Sequence, residues 1–313
     1  MARVIGGFAI SHSPSMGYEY DKGIASTFDP RWKVWYDGLQ PVKRWLAAAR
    51  PDHIVIVYND HLNHFTFDAY PTFALGVAPE YPQADEGFGL RNFPGLTGDT
   101  DFGWHVANLL VRNEFDLTIC EDMKIDHGIY SWLPYVTAPP WPARILPLAV
   151  NMIRHPIPTS ERLRKLGQAI RNAIQSYPSD ARIAVIATGG MSHQISGARF
   201  GMANEEWDRE FLRRIESDME ALVAIPQEEI MRIGGTEASE LAIWFAMRGA
   251  LSEKVRRHYD FYTFPQITGC GVVVFDDLAA YAILPTCDFA HTVVVAASPM
   301  IEPNPAVPVI SSP

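Results

Sequence analysis

The chain has 313 residues, 48% hydrophobic and 20% charged, a balance that belongs to an ordinary globular protein with room for a substantial core. Its formal net charge of -10 excludes the basic stripe that phosphate neutralisation requires, so no nucleic-acid partner is expected and a small molecule is the better substrate. Cys120, Cys270 and Cys287 are an odd count with no close pairing, which excludes a disulfide framework and a Cys-rich zinc site and leaves them as reduced thiols.

Along the chain, Arg3 to Ile10 is the first short apolar, β-branched run with the length of a buried strand, and it leads at once into Ser11-His12-Ser13-Pro14. The aromatic-rich stretch Tyr18 to Tyr36 carries little regular signal. Val42 to Ala49, after Pro41, has amphipathic helical spacing, and His53 to Tyr58 is a second strand that ends in Asn59-Asp60-His61. Glu80 to Gly98, rich in Gly and Pro, predicts a long ordered loop. Helical patterns follow at Trp104 to Arg112 and Ser160 to Tyr177, with a strand at Arg144 to Val150 between them. A fourth strand, Arg182 to Ala187, runs into Thr188-Gly189-Gly190-Met191-Ser192-His193. Glu240 falls near the start of a helix expected over Glu237 to Met247, with Thr236 as its N-cap and Leu241, Trp244, Phe245 and Met247 as its apolar anchor. From about Ser298 the tail carries Pro299, Pro303, Pro305, Pro308 and Pro313 with almost no charge and is expected to be extended or disordered, which leaves one domain over 1–297. No charged leader precedes an apolar stretch, and no uncharged run reaches the roughly 18 to 20 residues of a membrane span, so a cytoplasmic protein is expected.

Strands alternating with helices predict an α/β fold with a central mixed sheet flanked by helices. Ligands of such sheets bind beyond the carboxyl ends of the strands. His12, His61 and His193 each follow a strand end by a few residues and are therefore expected to converge on one rim. With Glu240, His12 and His61 can form a metal site. Two imidazoles and one carboxylate on one face of iron(II) leave the other face open for a substrate and dioxygen, whereas a structural zinc would favour four closed ligands. His193 is the candidate acid or base. Blander readings remain open at this level: His12 as a loop histidine, Asn59-Asp60-His61 as a turn, Glu237 in place of Glu240, and His127 in Asp126-His127-Gly128 as a capped loop residue. His53, His105 and His155 are read as structural. The absence of a helix-opening G-x-G-x-x-G, of G-x-S-x-G and of a P-loop weakens dehydrogenase, hydrolase and kinase readings.

Motifs run in order from residue 1 to about 265: Met1-Ala2-Arg3-Val4, Ser11-His12, Val57-Tyr58-Asn59-Asp60-His61, Pro71-Thr72-Phe73-Ala74, Ala84-Asp85-Glu86-Gly87, Glu114-Phe115-Asp116, Asp126-His127-Gly128, Thr188 to Gln194, and Met247-Arg248-Gly249-Ala250-Leu251. In them the chain resembles the class III extradiol dioxygenases, the family of the catalytic β subunit of protocatechuate 4,5-dioxygenase and of gallate and methylgallate dioxygenases. The resemblance implies that His12, His61 and Glu240 bind iron(II), Glu240 rather than Glu237 because the family's glutamate immediately precedes the Leu- and Trp-bearing helix stretch. It implies that His193 is the catalytic acid and base, and that His127 lines the substrate pocket and bonds the ring substituents. Asn59, Gln266, Ile267 and Thr268 are the further substrate-binding candidates. The implied reaction inserts both atoms of dioxygen into a catechol-type or hydroxylated heteroaromatic substrate and opens the ring beside the diol.

Where the protocatechuate enzyme has a polar serine near the substrate carboxylate, Phe264-Pro265-Gln266-Ile267-Thr268 puts Ile267. An isoleucine cannot bond a carboxylate, so the substrate is expected to lack that group, to turn it elsewhere, or to use Gln266 or Thr268. The family often covers its site with a small helical α subunit. A separate α subunit, or a homodimer or larger homo-oligomer with the Tyr18 to Tyr36 segment as cover, is expected here. The competing readings are a zinc-dependent hydrolase on the same site and a catalytically inactive binding protein of this fold.

Overall fold

A computed structural model of the protein describes residues 1–279. In chain order its strands are β1 (Arg3–Ile10), β2 (His53–Tyr58), β3 (Phe73–Gly76), β4 (Glu80–Tyr81), β5 (Leu96–Thr97), β6 (Thr118–Cys120), β7 (Arg144–Val150), β8 (Arg182–Thr188), β9 (Val255–Thr263) and β10 (Cys270–Asp277). Eight of them form one sheet in the order β6-β3-β7-β2-β8-β1-β10-β9, while β4 and β5 pair by themselves. β7, β2, β8 and β1 are mutually parallel, and β3 against β7, β10 against β1 and β9 against β10 are antiparallel. The sheet is therefore mixed, as expected.

The sequence of β2, His-Ile-Val-Ile-Val-Tyr, is buried at every position. Such unbroken apolarity suits a strand covered on both faces. Alternate residues feed two cores. Val55 and Val57 pack on one side, with the helices Ser160–Ser176 and Trp244–Ala250. Ile54, Ile56 and Tyr58 pack on the other, with Trp45 and Leu46 of the helix Gln40–Ala49. Burying a Leu, Ile or Val side chain contributes about 1.5 to 3 kcal/mol each, so this double layer supplies the rigidity of the rim above it.

The stretch expected to lack regularity holds two helices, Pro14–Ala25 and Pro30–Gly38. Each opens with proline in its first turn behind a capping side chain, Ser13 accepting from the Met16 N–H and Asp29 from the Arg31 N–H. Trp32, Trp35, Tyr36 and Leu39 fall at i, i+3, i+4 and i+7 and are all buried, so a helical stripe was legible beside the cap-and-proline signature. Glu80 to Gly98 is a loop as expected, closed at its base by β4 and β5. Cys287 and the Pro-rich tail lie outside the described residues. Cys120 and Cys270 are free and buried. No helix among the described residues is long and apolar enough to cross a membrane.

Candidate active site

β8 lies between β1 and β2, with Ile10 level with Thr188 and Val57 level with Ala187. The chain thus leaves the sheet at one height from three adjacent strands. Those three exits carry His12, His61 and the Gly189 to His193 turn. The His12 and His61 rings meet edge to face with centroids 4.8 Å apart.

The hydrogen bonds of each ring define which nitrogen faces inward. Thr188 donates its hydroxyl proton to the Gly128 carbonyl at 2.9 Å, so it can only accept from His12, whose Nδ1 lies 2.9 Å away. His12 Nδ1 therefore carries the proton, and its Nε2 is a bare lone pair, buried and without a hydrogen-bond partner. Burial lowers the His12 pKa to about 4 against the pull of Glu240, which keeps the ring neutral near pH 7. Glu240 Oε2 nevertheless stands 3.3 Å from that nitrogen. Two lone pairs face each other across a gap that no proton fills.

His61 is held by Asp126, whose Oδ2 accepts from the His61 N–H at 2.7 Å and from Nδ1 at 2.9 Å. Its Nε2 lies 3.6 Å from Glu240 Oε1 and 3.0 Å from the Asn59 amide nitrogen, which also donates to Glu240 Oε1 at 3.0 Å. Burial opposes a charge on His61, but Asp126 and Glu240 outweigh it and raise its pKa to about 10. Burial likewise opposes ionisation of Asp126 and Glu240, yet the facing histidines hold both carboxyls well below their ordinary range. The electrostatics call for positive charge at this point. The Asn59 donor favours a bare Nε2, so a cation answers both demands where a proton answers one.

Glu240 arrives on a 3-10 helix, Thr236–Ile243, that continues as the α-helix Trp244–Ala250. The expected N-cap at Thr236 does not form, because Gly235, at φ 97°, precedes the helix and no side chain caps it. The anchoring residues behave as expected: Leu241, Trp244, Phe245 and Met247 are fully buried. Glu240 Oε2 also accepts the Gly190 N–H at 2.7 Å. A Cβ at Gly189 would sit 3.0 Å from Glu240 Cβ, and one at Gly190 2.4 Å from the His193 ring. The glycine pair is what lets the turn reach both side chains.

His193 is buried, with Nδ1 2.7 Å from the Met191 carbonyl, and its Nε2 bonds to none of the described residues. Thr268 pairs with it as an isolated β-bridge, Ile267 is half-buried and Gln266 is exposed. Asn59 is fully buried between Glu240 and His61. Asp60 turns the chain by accepting the N–H groups of Asn63, His64 and Phe65. His127 lies against His61 with ring centroids 3.8 Å apart, and Glu86 grips it twice, at N–H (2.7 Å) and at Nδ1 (2.5 Å). Beside His127, Glu86 and Asp126 opens a cavity of about 700 Å³ bounded by Tyr18 and Phe88. Ligating atoms of His12, His61 and His127 lie within 4.8 Å of one another, so His127 competes geometrically with Glu240 as a third ligand. His53 bonds Asp99 and His105 bonds the Ala173 carbonyl, both structural as expected.

Asp126, Glu86 and Thr188, which orient the rings, were missed as functional residues. Asp126 and Glu86 stand inside the Asp-His-Gly and Ala-Asp-Glu-Gly motifs, and Thr188 heads the glycine turn. Adjacency to a histidine was the available signal for Asp126, while nothing local couples Glu86 to a ring 41 residues away.

A family model described as the catalytic LigB subunit of aromatic ring-opening dioxygenase matches residues 6–274. The chain belongs to this family, and so to the extradiol dioxygenase class of enzymes. Gallate dioxygenase of Pseudomonas putida is 39% identical over 198 residues, 62% of this chain and 58% of that protein. The chain thus matches little more than half the length of that relative. A 2,3-dihydroxyphenylpropionate/2,3-dihydroxicinnamic acid 1,2-dioxygenase of Cupriavidus necator is 26% identical over 309 residues, 81% of this chain and 91% of that one.

Proposed function

We propose that the protein is an iron(II)-dependent extradiol dioxygenase that opens a catechol-type or hydroxylated heteroaromatic ring beside its diol. The observation that carries the reading is the bare, neutral His12 Nε2 aimed at the Glu240 carboxylate, a contact that becomes favourable only with a cation between them. His12, His61 and Glu240 would hold the ion. Glu240 is preferred to His127 because it brings negative charge within 3.6 Å of both Nε2 atoms, whereas His127 is turned by Glu86 toward the cavity edge. The ion supplies Lewis acidity toward the diol and a seat for dioxygen.

The chain's own groups do the rest. His193, with Nδ1 bonded to the Met191 carbonyl, keeps Nε2 free to accept a hydroxyl proton as the diol docks and to return it when the ring opens. His127 offers its remaining nitrogen to a ring substituent at the mouth of the cavity. Ile267, half-buried beside Thr268, favours a substrate with no carboxylate on that side. The gallate and dihydroxyphenylpropionate enzymes named above support an aromatic diol as the substrate class. The reading includes assembly as a homo-oligomer, or with a small α subunit, in the cytoplasm.

Anaerobic reconstitution with iron(II), then oxygen consumption across catechols, gallates and hydroxypyridones, tests it. Stoichiometric oxygen uptake with one of these is expected, and zinc should bind without supporting uptake. Iron-loaded protein inert toward every member of the panel would overturn the reading.

A further inference from the structure

Asp208, on the helix Glu205–Ser217, has no exposed surface and lies beneath the turn that carries His193. Its Oδ1 accepts the Ser192 N–H at 2.9 Å, and its Oδ2 accepts the Ser192 hydroxyl at 2.6 Å and the Tyr262 hydroxyl at 2.9 Å. The Ser192 oxygen in turn accepts the Asn204 N–H at 2.7 Å, which commits the hydroxyl proton to Asp208. Two backbone bonds between Met191, Ser192 and Gly269 tie the same turn to the segment entering β10. One buried carboxylate therefore joins a helix, a strand and the turn at Ser192, the residue between His193 and the carbonyl that bonds its ring.

A buried carboxylate is costly unless its oxygens are bonded, and burial raises the pKa of Asp208 to about 6 despite three donors. An apolar residue could fill this position without that cost. What it could not do is hold Ser192 at two atoms at once. The neighbouring turn needs such a hold, because the Met191 carbonyl must stay opposite His193 Nδ1 for the ring to keep one tautomer.

We propose that Asp208 is a positioning residue for His193: by gripping the Ser192 N–H and hydroxyl it fixes the Met191 carbonyl against Nδ1 and so keeps Nε2 as the nitrogen presented to the substrate. The proposal rests on the reading of His193 as acid and base. In the iron-loaded enzyme, Asp208→Asn is expected to lower kcat roughly 10- to 100-fold, with KM and bound iron within about twofold of the parent. In zinc-loaded protein with ¹⁵N-labelled histidine, assigned with His193→Ala, the parent should show His193 as a single Nδ1–H tautomer and Asp208→Asn a mixture of the two. Ser192→Ala and Tyr262→Phe should act in the same direction and less strongly.

An unchanged kcat in Asp208→Asn, or a lowered kcat with the tautomer unchanged, overturns the proposal. If Asp208→Asn shows no cooperative unfolding transition, Ser192→Ala and Tyr262→Phe decide on the same two readouts. A His193→Ala variant with the parent's kcat would remove the acid and base reading itself, and so stands apart from a failure of Asp208 alone.

Discussion

The two sides of the candidate site are built differently. On one side, His12 and His61 follow strand ends and Glu240 stands on the buried part of its 3-10 helix, and the three side chains are held by Thr188, Asp126 and Gly190. On the other, His127 is fixed by Glu86 on a loop whose Phe88 is 83% exposed and whose Leu90 is 64% exposed. A metal needs ligands set to within tenths of an ångström, and only the close-packed side offers that. On the proposed reading, the loop side is where substituents of the substrate would be met. If the proposed ligands hold the metal, the contrast teaches that the ring-opening chemistry is built into the sheet, while the choice of ring falls to loop segments that can change without disturbing it.

Each prediction tests one side of that contrast. Removing a ligand from the packed side should have the largest effect. Glu240→Ala is expected to reduce retained iron and oxygen uptake by more than the roughly 10- to 100-fold that loss of a ligand's own partner causes. Metal analysis after desalting checks it, and full iron retention would transfer the role to His127. A buried charge on the packed side should also be visible in stability. Burial raises Asp208 to about 6 from its ordinary value of 3.8, with His193, Tyr262 and Cys270 the titratable groups that face it. Between those values the folded protein holds a proton that the unfolded chain has released. Stability is therefore present below the window and falls as pH rises through it, by roughly 2 to 3 kcal/mol. Urea unfolding from pH 4 to 7 should show this slope in the parent and lose it in Asp208→Asn; identical slopes would refute it.

Asp126→Asn comes next. It puts an amide donor or a weaker acceptor against His61 Nδ1, and metal affinity measured by chelator competition should fall about 10- to 100-fold. An unchanged affinity would mean that His61 needs no orientation. Smallest is Glu86→Gln on the loop side. Losing one charged hydrogen bond to His127 should raise KM for the substrate about three- to tenfold and leave bound iron unchanged. A loss of iron instead would erase the distinction between the two sides.

The strands were legible because β1, β2, β7 and β8 are unbroken apolar runs that stop at polar residues, and the strand-end rule brought His12, His61 and His193 to one rim. β9 escaped notice, since Val-Arg-Arg-His-Tyr-Asp-Phe-Tyr-Thr is mostly half-exposed at the sheet edge and carries its polar residues on both faces. Local pattern put Glu240 on a helix, while its grouping with His12 and His61 leaned on ligand chemistry and the family resemblance, because the contact spans 228 positions and is created by the packing of the 3-10 segment on β8. Thr188 and Glu86 were illegible for the same reason. Their importance lies in a single hydrogen bond to a distant ring, and no local pattern records it.

β1 has its own consequence. It precedes every other strand of its sheet in the chain, yet its neighbours β8 and β10 begin at residues 182 and 270. Until both have been synthesised, a strand apolar along nearly its whole length has no sheet to enter, and parallel pairing over so long a separation is slow. His12 must therefore wait for its site until both have emerged. On the proposed reading of His12, His61 and Glu240 as ligands, metal loading would follow the synthesis of β10, and fragments ending before β10 are expected to aggregate before they can bind an ion.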